Sequence, residues 1–225
     1  MRTFLAVVAA ASLSGCGGFS QMGRARTLDP GQWELGASAS LVGQDARAFD
    51  QAGYRPGDGI ALGSGLSLEV HGAVGVAPGV EIGARFYDVG GGLNVKAQLF
   101  RSAPFDLALS PGVVSGLAQR PGDVQGTYAR LPLLAGVNFD TRTSVVVAPE
   151  VAWALDRGGS WSPELWGGTV SGHHRTQDGT WLALGVTWLR FRRHVPFEPG
   201  SSSELVAADV FAVTAGAGAV RGGGE

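Results

Sequence analysis

The chain has 225 residues and a formal net charge of −2, a balance that leaves no basic excess for nucleic acid. One cysteine excludes an internal disulfide. Charged residues make up only 16% against a usual ~25%, while 44% are hydrophobic, with no long apolar run after the N-terminus to form a membrane helix. Such a composition points to strands whose alternate residues face lipid.

At the N-terminus, Arg2 precedes a run from Phe4 to Leu13 that is apolar or small throughout. These ten residues rise only about 15 Å as helix, short of a ~30 Å hydrocarbon core, so the run reads as a secretory signal over 1–15. Leu13-Ser14-Gly15-Cys16 resembles the bacterial lipoprotein processing box. That resemblance implies a palmitate-bearing lipid on Cys16, cleavage just before it, and a lipidated flexible tether over 16–30.

Period-2 alternation then recurs along the chain and predicts strands, where helical spacing fits less well. Trp33 to Leu41 puts apolar residues at odd positions. Leu66 to Val76 and Val80 to Phe86 continue the pattern across Pro78-Gly79, as do Leu93 to Leu99 and Phe105 to Leu109. Leu131 to Phe139, Val145 to Trp153 and Leu182 to Trp188 follow. Weaker segments at Pro163 to Gly172 and Leu205 to Ala215 bring the expectation to an all-β, antiparallel up-and-down transmembrane β-barrel. It has eight to ten strands over 31–215, with a Gly-rich tail at 216–225. Pro111, Pro132 and Pro149 fall inside proposed strands, and a bulge beside each is the expected repair. Gly90-Gly91-Gly92 reads as turn.

Which face is inside decides between a membrane barrel and a soluble, lipocalin-like lipid-binding barrel. The polar positions are rich in Gly, Ala and Ser, with isolated charges, which suits a crowded lumen. Trp33, Phe86, Phe105, Phe139, Trp153 and Trp188 fall near strand ends on the apolar face, the girdle pattern of a transmembrane barrel. Links alternate in length: long at 44–64, 119–126, 156–161 and 192–203, tight at 77–79, 101–104 and 140–143, with the short outside turn Asp88 to Gly92 as the one exception. With Cys16 in the periplasmic leaflet, the tight turns are periplasmic.

A lumen charge network is expected from Glu34, Glu69, Glu81, Asp106 and Glu150 against Arg85, Lys96 and Arg130. Five acids against three bases leave an excess for water, His71 or a protonated carboxyl to absorb. Ser67, Glu69 and His71 are the only triad-like grouping. Residues two apart on a strand sit ~6.5–7 Å apart, so they read as polar network, with no catalytic residue assigned. His173-His174 read as turn residues, and no metal or cofactor is expected. Arg190, Arg192, Arg193 and His194 form a basic cluster that suits lipopolysaccharide phosphates at the outer rim. The leading functional expectation is a non-enzymatic structural or interaction component of the cell envelope, meeting outer-membrane lipid and other envelope proteins. A narrow pore or small-molecule passage, and a lipid-modifying or proteolytic rim enzyme, are the alternatives.

Overall fold

The computed structural model describes residues 22–44, 61–87, 90–115, 127–155, 164–195 and 204–222. The expected signal segment, Cys16 and the centre of the long 44–64 link lie outside them. The strands are β1 Gln32–Gln44, β2 Ala61–Ala77, β3 Val80–Tyr87, β4 Gly90–Arg101, β5 Phe105–Leu109 and β6 Gly112–Ser115. They continue with β7 Thr127–Asn138, β8 Thr143–Ala154, β9 Leu165–Arg175, β10 Thr180–Val195 and β11 Glu204–Gly222. Neighbours pair antiparallel in sequence order, and β1 pairs with β11 from Gln32↔Gly222 to Gln44↔Val210. The sheet is therefore a closed barrel without an edge. Strands β5 and β6 are two halves of one stave, each pairing with both β4 and β7, so ten staves form the wall.

Pro111 causes that split, and the register across it is unchanged: Leu109 faces Leu133 and Gly112 faces Arg130. Pro132 and Pro149 share one gap in the β7–β8 ladder, between Pro132↔Glu150 and Ala135↔Val147, again without a shift. The bulges expected beside the prolines are absent there. A proline missing one N–H removes a ladder bond, but it need not add a residue. The register shifts fall instead at Val42/Gln44, Gly75/Ala77 and Gln98/Phe100.

Three further expectations are corrected. Gly90-Gly91-Gly92 is strand, in register with Tyr87, Phe86 and Arg85, and a Cβ on Gly91 would meet the Arg85 carbonyl at 2.9 Å. His173 and His174 lie in β9, facing Ser144 and Thr143. The stretch from 216 is strand through Gly222, because Gly218 and Gly216 lie against Gly36 and Ser38 of β1 and close the barrel.

The apolar face points out. Leu41, Phe86, Leu93 and Leu184 are each more than 60% exposed, while Glu69, Glu81, Lys96, Asp106, Arg130 and Glu150 are buried. A soluble barrel would reverse this, since water would then meet the aliphatic face at a cost of about 25 cal/mol per Å². Aromatic rings form two outward bands. Trp33, Phe100, Phe105 and Phe139 sit at the end with tight turns; Phe86, Trp153, Trp166, Trp188 and Phe211 sit toward the far end. Trp166 and Trp188 stack edge to face with centroids 5.0 Å apart. The barrel therefore spans a membrane with its strands, and no helix among the described residues is long and apolar enough to do so.

Residues 22–30 are the largest departure from expectation. They are no loose tether: Met22, Ala25, Thr27 and Leu28 are buried inside the barrel. Gly31 N–H donates to the Gly75 carbonyl at 2.9 Å at the tight-turn mouth, and from there the segment reaches inward. Wall glycines make the room. A Cβ on Gly136 would meet Ala25 at 2.8 Å, and one on Gly185 would meet the Met22 sulfur at 2.8 Å. A Cβ on Gly75 would collide with the Asp29 carbonyl. Gly75→Ala should therefore unseat the segment where it enters, costing about 1–3 kcal/mol as an overpacking change. Urea titration in detergent micelles checks this, and an unchanged midpoint would refute the seat.

Candidate functional site

The lumen is the candidate site, and it is layered. Nearest the N-terminal mouth, Met22 and Leu28 pack with Trp181, Ala183 and Val220. Trp181 points inward because β10 alternates with Leu182, Leu184 and Val186 outward. Its ring stacks on His71 at 5.6 Å and lies over Gly36, where a Cβ would stand 2.5 Å from it.

All eight lumen charges expected from the sequence lie inside and are paired. Glu81 meets Lys96 at 2.8 Å, Glu69 meets Arg85 at 3.8 Å, and Glu150 is ion-paired with Arg130. Glu34 and Asp106 take their partners from the N-terminal segment. Arg24 reaches Glu34 at 3.3 Å, and Arg26 reaches Asp106 at 3.1 Å. Five acids then face five bases, so Arg24 and Arg26 match the excess of two acids. His71 sits between Glu34 at 3.7 Å and Glu69 at 3.8 Å.

The same network holds the segment's backbone. Leu28 N–H donates to Glu81 at 3.0 Å, and Thr27 N–H donates to the Gln98 side chain at 2.8 Å. The Lys96 ammonium donates to the Arg24 carbonyl at 3.2 Å. Asp106 also accepts from Asn138 at 2.7 Å. Sequence reasoning missed the segment's role, although the unexplained deficit of two cations was its signal.

Beyond the charges comes a hydroxyl layer, Ser40 with Thr214 at 2.7 Å and Thr169 with Thr187 at 2.8 Å. The far part of the lumen is apolar: Val42, Val114, Tyr128, Leu165, Leu189 and Val210 form a buried cluster drawn from six different strands. The lumen is thus closed twice, by a salt-bridged segment near one mouth and by side chains toward the other.

The hydrolase-like grouping does not assemble around Ser67, for which no contact with His71 is seen. The hydrogen-bonded serine–histidine pair is Ser171 Oγ with His173 Nε2, 2.9 Å apart and both buried. Side chains leaning along the strand bridge the i, i+2 spacing that appeared too long. His173 lines a cavity at the tight-turn mouth, and no carboxylate is seen on its second ring nitrogen. No cluster of three metal-ligating side chains occurs among the described residues.

Arg190 is on the outward face beside Trp188 and lies 3.8 Å from Asp209, its cross-strand partner on β11. The side chains of Arg192 and Arg193 lie outside those described. At the tight turns, Asp140 accepts from the N–H groups of Arg142 and Thr143, both at 2.6 Å, which holds its carboxyl below the usual range.

No family model and no curated protein matches the chain. Among solved structures it is similar to the outer membrane protease OmpT from Escherichia coli, with TM-score 0.48 and 11% identity over 88% of this chain and 100% of that one. It is also similar to Neisserial surface protein A, with TM-score 0.35 and 12% identity over 84% of this chain and 98% of that one. Outer membrane protein AlkL, studied in lipid bilayers, gives TM-score 0.36 and 15% identity over 93% and 99%. These likenesses extend to the strand barrel and no further. The fold itself stands on the closed pairing and the apolar exterior.

Proposed function

We propose that this protein is a non-enzymatic structural or interaction component of a bacterial outer membrane, a sealed barrel rather than a passage. The observation that carries the reading is the doubly closed lumen. A conducting pore needs a continuous polar path, and the apolar cluster of Tyr128, Leu165 and Leu189 interrupts it. A hydrolytic site needs a carboxylate free to orient or act as a base, and the five lumenal carboxylates are committed to bases of the wall or of residues 22–30.

The mouth through which the N-terminal segment enters carries the tight turns, and we place it on the periplasmic side with lipid on Cys16. An even number of staves returns both ends of the chain to that side. The long links then present their surface outward to partners. With Arg190 held by Asp209, contact with lipopolysaccharide phosphates falls to Arg192 and Arg193.

Two measurements test the proposal. Reconstituted protein in planar bilayers should show almost no conductance, and steady large currents would reverse the reading in favour of a pore. Clickable palmitate should label the wild type, and equal labelling of Cys16→Ala would remove the anchor from it.

A further inference from the structure

A cavity of about 50 Å³ opens at the N-terminal mouth, lined among others by Arg24, Arg26, Arg142, His173 and Arg175. Two of these arginines differ from the rest of the lumen. Arg24 and Arg26 are committed to Glu34 and Asp106. Arg142 and Arg175 have no carboxylate within ion-pair distance among the described residues.

They are also held side by side. Arg175 N–H donates to the Arg142 carbonyl at 2.9 Å, directly continuing the β8–β9 ladder from Thr143↔His174. Both residues line the same cavity. Its one carboxylate, Asp140, already accepts the two backbone N–H groups of its own turn. Against that single negative charge stand two uncommitted guanidinium groups, so the cavity keeps a net positive charge after every pair is counted.

Neighbouring guanidinium groups repel unless something sits between them, and planar forks of N–H donors match the oxygens of phosphate. The space fits as well. At about 50 Å³ the cavity is several times the roughly 10–15 Å³ that a single water needs, which leaves room for a small anion.

We infer that Arg142 and Arg175 form an oxyanion site at this mouth that takes a phosphate group, free or on a lipid headgroup. Calling the mouth periplasmic rests on the proposed orientation; binding of free phosphate does not.

The test uses the full barrel in phosphatidylcholine nanodiscs, titrated with inorganic phosphate at constant ionic strength while the thermal midpoint is followed. A parallel series carries phosphatidylglycerol with no added phosphate. A saturable rise with phosphate assigns the free anion. A rise only with phosphatidylglycerol assigns the headgroup. In either case Arg142→Gln and Arg175→Gln should weaken the effect about tenfold or more, the loss of one charged hydrogen bond. Arg101→Gln, a rim arginine paired with Asp29 outside the cavity, should leave it unchanged.

Should a variant fail to fold, phenylglyoxal labelling of the wild type reads the same site: phosphate or phosphatidylglycerol should protect Arg142 and Arg175 but not Arg101. An equal response to chloride, or one that survives both substitutions, overturns the site. Large conductance by the wild type would instead defeat the sealed-barrel reading and leave the phosphate result standing.

Discussion

Replacing Arg24 and Arg26 together by alanine should lower the barrel's stability markedly while leaving it electrically closed. Each substitution strands a lumenal carboxylate. Glu34 keeps His71 at 3.7 Å, and Asp106 keeps the Asn138 amide at 2.7 Å, so neither is wholly without partners. Arg26 is also more than a third exposed, which screens its pair. The cost per site is therefore about 1–3 kcal/mol, that of a buried group losing a charged partner. Urea midpoints in detergent, compared across the single and double variants, measure it. Adding Glu34→Gln to Arg24→Ala should restore most of the loss, because the stranded charge is then gone. Conductance should stay low in all of these variants, since the apolar cluster seals the far part of the lumen by itself. Only truncation of Leu165 and Leu189 in the same background should admit ions. A current that appears with Arg24→Ala and Arg26→Ala alone would show that the N-terminal segment is the only seal.

The second large effect is expected at Arg130. Its guanidinium and the Glu150 carboxylate have side-chain exposures of only 4% and 1%, and Glu150 Oε1 has no hydrogen-bond partner of its own. Arg130→Ala leaves that carboxylate buried and uncompensated, which costs about 3–5 kcal/mol. Arg130→Leu with Glu150→Leu removes both charges and keeps the volume, so it should lie near the wild type or above it. Equal destabilisation by the single and the double variant would mean that packing around Arg130, rather than its charge, holds this part of the wall. Heat-modifiable migration in gels gives a second readout, with the single variant unfolding at a lower temperature.

The wall of this protein was legible in its sequence, because a strand's side chains have a period of two and each face must suit its surroundings. Leu182, Leu184 and Val186 alternating with small residues already gave β10 its outward face. Glu34, Glu69, Glu81, Asp106 and Glu150 on the opposite parity gave the lumen its charges. The pattern was weakest where both parities are small, as from Ala215 to Ala219, and there pairing with β1 and β10 makes the stretch a strand. Propensity and alternation are local, whereas closure of the barrel is a contact between residues about 180 positions apart.

What occupied the lumen was a tertiary decision. Met22 to Leu28 has no strand alternation long enough to read and no helical period, so by local rules it is a tether. It becomes a plug because Gly136, Gly185 and Gly75 leave space for it and because Glu34 and Asp106, far apart in sequence, converge on its two arginines. The charge count carried that information as an imbalance without an address. The address is set by which side chains a closed wall of ten staves brings face to face, since a buried charge must find its partner wherever the fold places one.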